Sequence, residues 1–337
     1  MAIVLALAAA VLFGAATPAS KLLVQRLTPF QLAGLLYLGA ALAMVPAVSR
    51  RRRMVRLDPP NRARLLGMVL FGGCLAPVLL LAALRMTPAG SVALLLNLEI
   101  AATAVLGALW FAEPLGRRGW FGVAGIIAAG ALLSGGSWPG IAAALCVVAA
   151  CVCWGLDNHL TALIDGMTPE HATFWKGAVA GSANLVIGVT LSRLDARGWE
   201  IAAALLVGAL SYGVSIALYI RAAQQLGAVR AQALFASAPF LGAVLSYALL
   251  GETPTPMILA AAALLLVSAT MLFGDAHGHR HLHAAIEHVH PHRHDDGHHT
   301  HAHPDAAPST YHSHPHRHDE IEHAHPHWPD LHHRHEH

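Results

Sequence analysis

The side chains with the most chemistry to offer in this chain are one isolated carboxylate and a long string of imidazoles. Glu99 lies in the run Ala89–Phe111, ten or more residues from either end. Ten residues are about 15 Å of helix, too far for a short carboxylate to reach water. An ionisable group at such depth in a bilayer costs about 2.5–3.5 kcal/mol and marks a functional candidate. Thr103 at i+4 and Trp110 at i+11 share its helical face. A carboxylate so placed suits a residue that alternately binds a proton and a cationic substrate; the alternative is a structural hydrogen bond to a neighbouring helix. Asp157-Asn158-His159 lies late in a second apolar run, where Trp154, Asp157 and Thr161 fall at i, i+3 and i+7. The plainer reading makes Asp157 a helix-end residue and His159 an interfacial one. Tyr212, Ser215 and Tyr219 repeat the same spacing, and Asn184 sits mid-run. This stripe lines an aqueous cavity or hydrogen-bonds between helices.

The imidazoles are segregated. Of 25 His, 23 lie between His277 and His337, in stretches such as HGHRHLH and HVHPHRH. Neutral imidazole binds Zn, Ni, Co and Cu(II). The candidate ligands are His277, His279, His281, His283, His288, His290, His292, His294, His298, His299, His301, His303, His312, His314, His316 and His318. The H-x-H alternation favours labile multi-site chelation over one fixed tetrahedral site; a polar, pH-responsive solubilising tail is the alternative. Scattered acids and two copies of Pro-His-Arg-His argue against a purification tag. The composition cannot bury a core and predicts disorder. The four Cys lie in apolar runs without a C-x-x-C spacing. Cys151 and Cys153 are about 200° apart on a helix, which suits small core residues.

The elements that must position these residues are apolar helices. The chain of 337 residues is 55% hydrophobic and 12% charged, with mean hydropathy +0.53. Soluble domains carry about 25% charge, so the composition argues against a cytosolic globular enzyme. Ten runs of roughly the 20 residues a transmembrane helix needs fall near 3–23, 30–48, 65–85, 89–111, 119–136, 139–163, 171–191, 199–221, 229–250 and 256–273. They leave only short loops. The first run lacks a small-residue cleavage site and reads as a retained span. Seven Arg between runs 2 and 3, with Arg117, Arg118, Arg221 and Arg230, fall on one side, against Lys21, Arg26, Arg85, Arg193 and Arg197 on the other. The Arg-rich side is the cytoplasmic one, which puts both termini inside the cell, in a bacterial cytoplasmic (inner) membrane. Lys21 and Lys176 are expected to snorkel, while Trp110, Trp175 and Trp199 read as an interfacial belt. Topology accounts for the Arg50–Arg53 run without nucleic acid. The net charge of +2 is a cancellation between a basic first part and an acidic tail.

The chain also repeats itself. Phe13-Gly14 recurs as Trp154-Gly155, Thr28-Pro29 as Thr168-Pro169, Ala89 as Ala228 and Glu113 as Glu252, at offsets of 139–141 residues. Two copies of an odd, five-span unit enter the membrane from opposite faces, the build of many secondary transporters. Ala238 stands where Glu99 would recur. These residues, with Lys21, Ala82-Ala83-Leu84, Leu98-Glu99, Gly122, Gly130, Gly227-Ala228 and Pro239, resemble the EamA domain of the drug/metabolite transporter superfamily over residues 1–274. Where that pattern has Glu-Pro in spans 4 and 9, this chain has Glu99-Ile100 and Ala238-Pro239.

The resemblance implies an all-α integral membrane protein. It has ten transmembrane helices in two inverted EamA-like repeats (1–136 and 137–274), followed by a disordered cytoplasmic tail (275–337). It also implies a transporter of small organic solutes, often outward, with the bilayer and the solute as partners. Glu113 and Glu252 are expected to end helices or close a gate ion pair. Two alternatives stand beside solute transport: a Ni, Co or Zn transporter whose tail collects or senses the ion, and a membrane-anchored metal buffer. No nucleophile constellation, phosphate loop or cofactor motif supports an enzyme, and no cofactor is required. The oligomeric state is left open.

Overall fold

Inside a bilayer every backbone polar group needs an internal partner, so apolar runs of this length must fold as helices. The computed structural model describes residues 2–50, 57–110, 115–134, 138–164, 167–226, 234–273, 278–283, 286–292, 312–318 and 321–326. Helices occupy all ten apolar runs, numbered here in chain order. They are α1 (Ala2–Gly14 and Ala16–Leu23), α2 (Pro29–Arg50), α3 (Pro59–Met86), α4 (Ala89–Leu95 and Leu98–Trp110) and α5 (Arg117–Leu133). The second set comprises α6 (Trp138–Leu163), α7 (Pro169–Leu191), α8 (Gly198–Leu226), α9 (Ala238–Leu250) and α10 (Pro256–Phe273). Among the described residues seven helices, α1–α4 and α6–α8, are long and apolar enough to cross a membrane. The other three are shorter, and α5 opens on Arg117-Arg118. Large apolar side chains such as Leu109, Phe121, Leu191 and Leu249 stand exposed, as a lipid-facing surface requires.

The repeated Thr-Pro pair has a local cause. Thr28 and Gln31 bond each other's backbone N–H at 3.1 and 3.2 Å, a capping box at the start of α2. Thr168 caps α7 with Pro169 in its first turn, where the missing proline N–H loses nothing.

Helix-end bonds show the two sets to be inverted. The ammonium of Lys21, near the end of α1, donates to the Leu84 and Thr87 carbonyls at the end of α3. Arg85 near the end of α3 answers by donating to the Val24 and Leu27 carbonyls after α1. Both cations thus satisfy carbonyls that a helix C-terminus leaves unpaired; Lys21 caps a neighbour rather than snorkelling. Arg64, near the start of α3, bonds the Leu163 carbonyl at the end of α6 at 2.8 Å. The end of α1 therefore lies with the end of α3, and the end of α6 with its beginning. The first helices of the two sets run in opposite directions.

Packing interleaves the two sets. α1 lies on α8 and α9, α6 lies on α3 and α4, α2 packs against α7, and α5 packs against α10. The aromatic-Gly pairs stand where these helices cross. A Cβ on Gly14 would meet the Ala238 carbonyl at 2.6 Å, and one on Gly155 would meet the Thr103 amide at 3.2 Å.

Both sets also break helical regularity at matching places. α3 winds as a π-helix over Met68–Leu75, and α8 does so over Gly208–Val214. α4 is interrupted at Leu96-Asn97, and the chain before α9 at Ala236-Ser237. At each interruption a polar side chain folds back on the carbonyl three residues earlier, Asn97 on Leu94 at 2.9 Å and Ser237 on Leu234 at 2.6 Å. Such local bonding competes with the helix ladder.

In the tail, Gly278–His283 pairs antiparallel with Ile321–Pro326, and Ile286–His292 with His312–His318. These four segments lie within the stretch expected to be disordered. The H-x-H alternation that suggests chelation also has the period of two of a strand. Of the candidate ligands, His277, His294, His298, His299, His301 and His303 lie outside the described residues, as does Glu113.

Candidate functional site

The interruption of α4 begins a new helix inside the apolar run, and Glu99 stands in its first turn. Its Oε1 accepts a hydrogen bond from the Asn158 amide at 3.0 Å. The same amide reaches Thr103 Oγ1 at 3.3 Å. The His159 Nε2 donates to the Thr103 carbonyl at 3.0 Å, which fixes the tautomer, since a carbonyl only accepts. Thr103 thus joins α4 to α6 through two consecutive residues. Gly155, one turn earlier, lets the helices approach closely enough for both bonds.

The other face of α6 holds an ion pair. Asp157 Oδ2 accepts from Lys176 Nζ of α7 at 2.7 Å, and both side chains are largely buried. Lys176, expected to snorkel, is therefore held inside by a partner. Asp157 lies against the π-helical stretch of α3, where a Cβ on Gly72 would come within 2.2 Å of its carboxyl carbon. The wider π turn frees carbonyls, and side chains occupy them. Tyr37 Oη and Trp154 Nε1 both donate to Gly72, the latter at 3.2 Å, and Asn184 Nδ2 donates to Gly73 at 3.1 Å. π-bulges of this kind are frequent at functional sites.

From Tyr37 a chain of rings crosses to the second set. Tyr37 stacks on Tyr212 at 5.6 Å, Tyr212 meets Phe13 edge-on at 5.7 Å, Phe13 meets Phe235 at 5.3 Å, and Phe235 meets Tyr219 at 5.0 Å. Tyr212 is within electrostatic reach of Glu99. The structure thus brings Glu99, Thr103, Asn158 and Tyr212 to one neighbourhood, with Asp157 about 100° round α6 from Asn158. Asn184 belongs to the π-helix side, Tyr219 to the far end of the ring chain. Ser215 is fully buried and donates to the Ala9 carbonyl at 2.8 Å, which ties α8 to α1. Tyr37, Lys176, Phe13 and Asn97 were not among the sequence candidates. Phe13 carried a signal in the repeated aromatic-Gly pair, and Lys176 one as a charge in an apolar run.

At the far end of the molecule, by Lys21 and Arg85, Glu252 accepts from the Ala89 and Gly90 N–H groups at 2.7 and 2.8 Å. It caps the start of α4 from the loop between α9 and α10, and so joins the two sets where a gate ion pair was one expectation. Glu252→Gln should lose the charge that favours this helix N-terminus and lower unfolding stability by about 1 kcal/mol. Thermal unfolding of the full-length protein in micelles measures it. Among the described residues no group of three or more His, Cys, Asp or Glu is placed to hold a metal ion.

Comparisons with known proteins agree with this architecture. A family model described as the EamA-like transporter family matches residues 1–135 and again 141–274. Fifteen chains of solved structures match. One is a crystal structure described only as that of a protein, 17% identical, with 80% of this chain and 94% of that chain covered at a TM-score of 0.57. That likeness shows a shared fold. No curated protein matches the chain.

Proposed function

The chain belongs to the EamA-like transporter family, an integral membrane protein of the drug/metabolite superfamily, and from that premise we propose that it is a secondary transporter exporting a small organic solute by alternating access. The observation that carries this reading is the matched pair of helix interruptions, Leu96-Asn97 and Ala236-Ser237, with Glu99 just past the first. Discontinuous helices at the junction of inverted repeats are where transporters of this build hold substrate and coupling ions. Glu99, Thr103, Asn158 and Tyr212 form the substrate neighbourhood; Asp157 on α6 and Asn184 on α7 support it against the π-helical stretch of α3. The Arg-rich face is the inner one, so export runs from the Arg64 end towards the Lys21 end.

The histidine tail is an accessory in this reading, a cytoplasmic chelator of Zn, Ni, Co or Cu separate from the path. Reconstitution of the full chain beside a chain ending at Gly274 tests the arrangement. Solute flux should persist in the truncated protein with less than about a two-fold change, while equilibrium dialysis shows its Zn and Ni binding lost. Flux that vanishes with the tail, or depends on added metal, contradicts it.

A further inference from the structure

We propose that the cargo of this site is a protonated organic amine: a compact ammonium head that donates N–H bonds, carried on an aromatic or apolar body. The assignment rests on the transporter reading and names its substrate class. Three independent features of the site ask for such a ligand.

The first is charge. Two carboxyl groups and one ammonium share the layer between α3, α4, α6 and α7, namely Glu99, Asp157 and Lys176. Glu99 is within electrostatic reach of both of the others. Lys176 is already held by Asp157 at 2.7 Å, so that pair is neutral as a unit. Among the described residues the side-chain donor to Glu99 is the neutral Asn158 amide, and the His159 Nε2 proton is occupied by the Thr103 carbonyl. When Glu99 is ionised, the layer thus carries one negative charge without a cationic partner among the described residues, and inside the membrane such a charge calls for a counter-ion.

The second is hydrogen bonding. Asn97 Oδ1, Asp157 Oδ1 and Asn184 Oδ1 are buried side-chain oxygens with no hydrogen-bond partner. Asn97 and Asn184 each bind a backbone carbonyl through the amide nitrogen, so their orientation is fixed and the oxygen is the atom left over. All three atoms accept. Buried polar atoms are rarely left unpaired, and a ligand rich in N–H donors supplies what they lack. An anionic or carbonyl-bearing solute would add further acceptors to a place that already has too many.

The third is the wall. Trp154, Tyr37, Tyr212, Phe13 and Phe235 run from α6 to the interruption before α9. Aromatic faces attract cations as well as apolar groups, so one surface accommodates both the head and the body of an amine.

Three ring compounds of similar size make the test: phenethylamine, 2-phenylethanol and phenylacetate, titrated onto the full-length protein in micelles with tryptophan fluorescence as readout. The amine should bind at least about ten-fold more tightly than either other compound, the effect of one charge-assisted hydrogen bond. Glu99→Gln should reduce the amine to the level of the alcohol. Glu99→Asp, which keeps the charge, should preserve the order, as should Asp157→Asn combined with Lys176→Met. Equal or stronger binding of phenylacetate or phenylethanol overturns the assignment. So does an amine preference that survives Glu99→Gln, or no amine binding at all. Flux through vesicles is a separate readout. Amine binding without flux keeps the cation assignment and removes the transporter reading. Flux of the neutral or anionic compound in preference to the amine does the reverse.

Discussion

Glu99→Gln should cut coupled transport by about ten-fold to a hundred-fold while leaving the fold intact. The amide is nearly isosteric, and its oxygen can still accept from Asn158, which now binds Glu99 at 3.0 Å. The local packing of α4 on α6 therefore has no reason to change. What disappears is the carboxylate that, among the described residues of the layer, has no cationic partner, and with it the ability to alternate between a proton and a cation. A hydrogen bond to a charged group contributes about 1.5–3 kcal/mol, so initial rates should fall by about ten-fold to a hundred-fold. Counterflow in proteoliposomes measures the rate, and an unchanged melting temperature shows that the loss is not one of folding. A Glu99→Gln protein that transports at wild-type rates would leave Glu99 with the structural role that its bond to Asn158 also permits.

The second large effect is on stability. Lys176→Ala should destabilise the protein by about 3–5 kcal/mol, because it leaves Asp157 buried against Gly72 without its partner. Lys176→Met combined with Asp157→Asn should recover most of that loss, since replacing a buried pair as a unit is often nearly neutral. A double-mutant cycle read by thermal unfolding in micelles gives the coupling directly. Additive losses would mean that the two side chains are solvated separately, against the 2.7 Å contact.

Much of this architecture was legible because it depends on periodicity and composition. Seven of the ten apolar runs hold helices long enough to cross a membrane among the described residues, and the repeated Thr-Pro pairs mark starts that a cap and an N1 proline set locally. The repeat itself was readable from Phe13-Gly14, Trp154-Gly155 and Glu252, although its physical sense was not. The glycines allow crossings, α1 on α9 and α6 on α4, and Glu252 reaches across to Ala89 and Gly90. These contacts join residues more than fifty positions apart.

The site was half visible. An ionisable residue in an apolar run announces itself, so Glu99 and Asp157 stood out. Lys176 did too, but distance along its helix suggested snorkelling where a partner on α6 holds it inside. The interruption at Leu96-Asn97 left little trace, because no proline or glycine marks it and Asn97 is one polar residue among leucines. The π-helical stretches were equally silent. The carbonyls of Gly72 and Gly73 in the stretch of α3 accept from Tyr37, Trp154 and Asn184 on three other helices, an arrangement no local pattern encodes. Tyr212, Ser215 and Tyr219 share a spacing yet do different things: Ser215 ties α8 to α1, while the two tyrosines belong to a ring chain.

Alternating access to the neighbourhood of Glu99 is the claim on which everything else depends, and thiol accessibility at Thr103→Cys tests it most directly. The residue lies one turn from Glu99 and is partly exposed; the four native cysteines are replaced so that only the new thiol reacts. In right-side-out and inside-out vesicles, a membrane-impermeant thiol reagent should label this position from both faces, and phenethylamine should slow both reactions. Labelling from one face alone, or from neither, would contradict a path that opens alternately to the two sides.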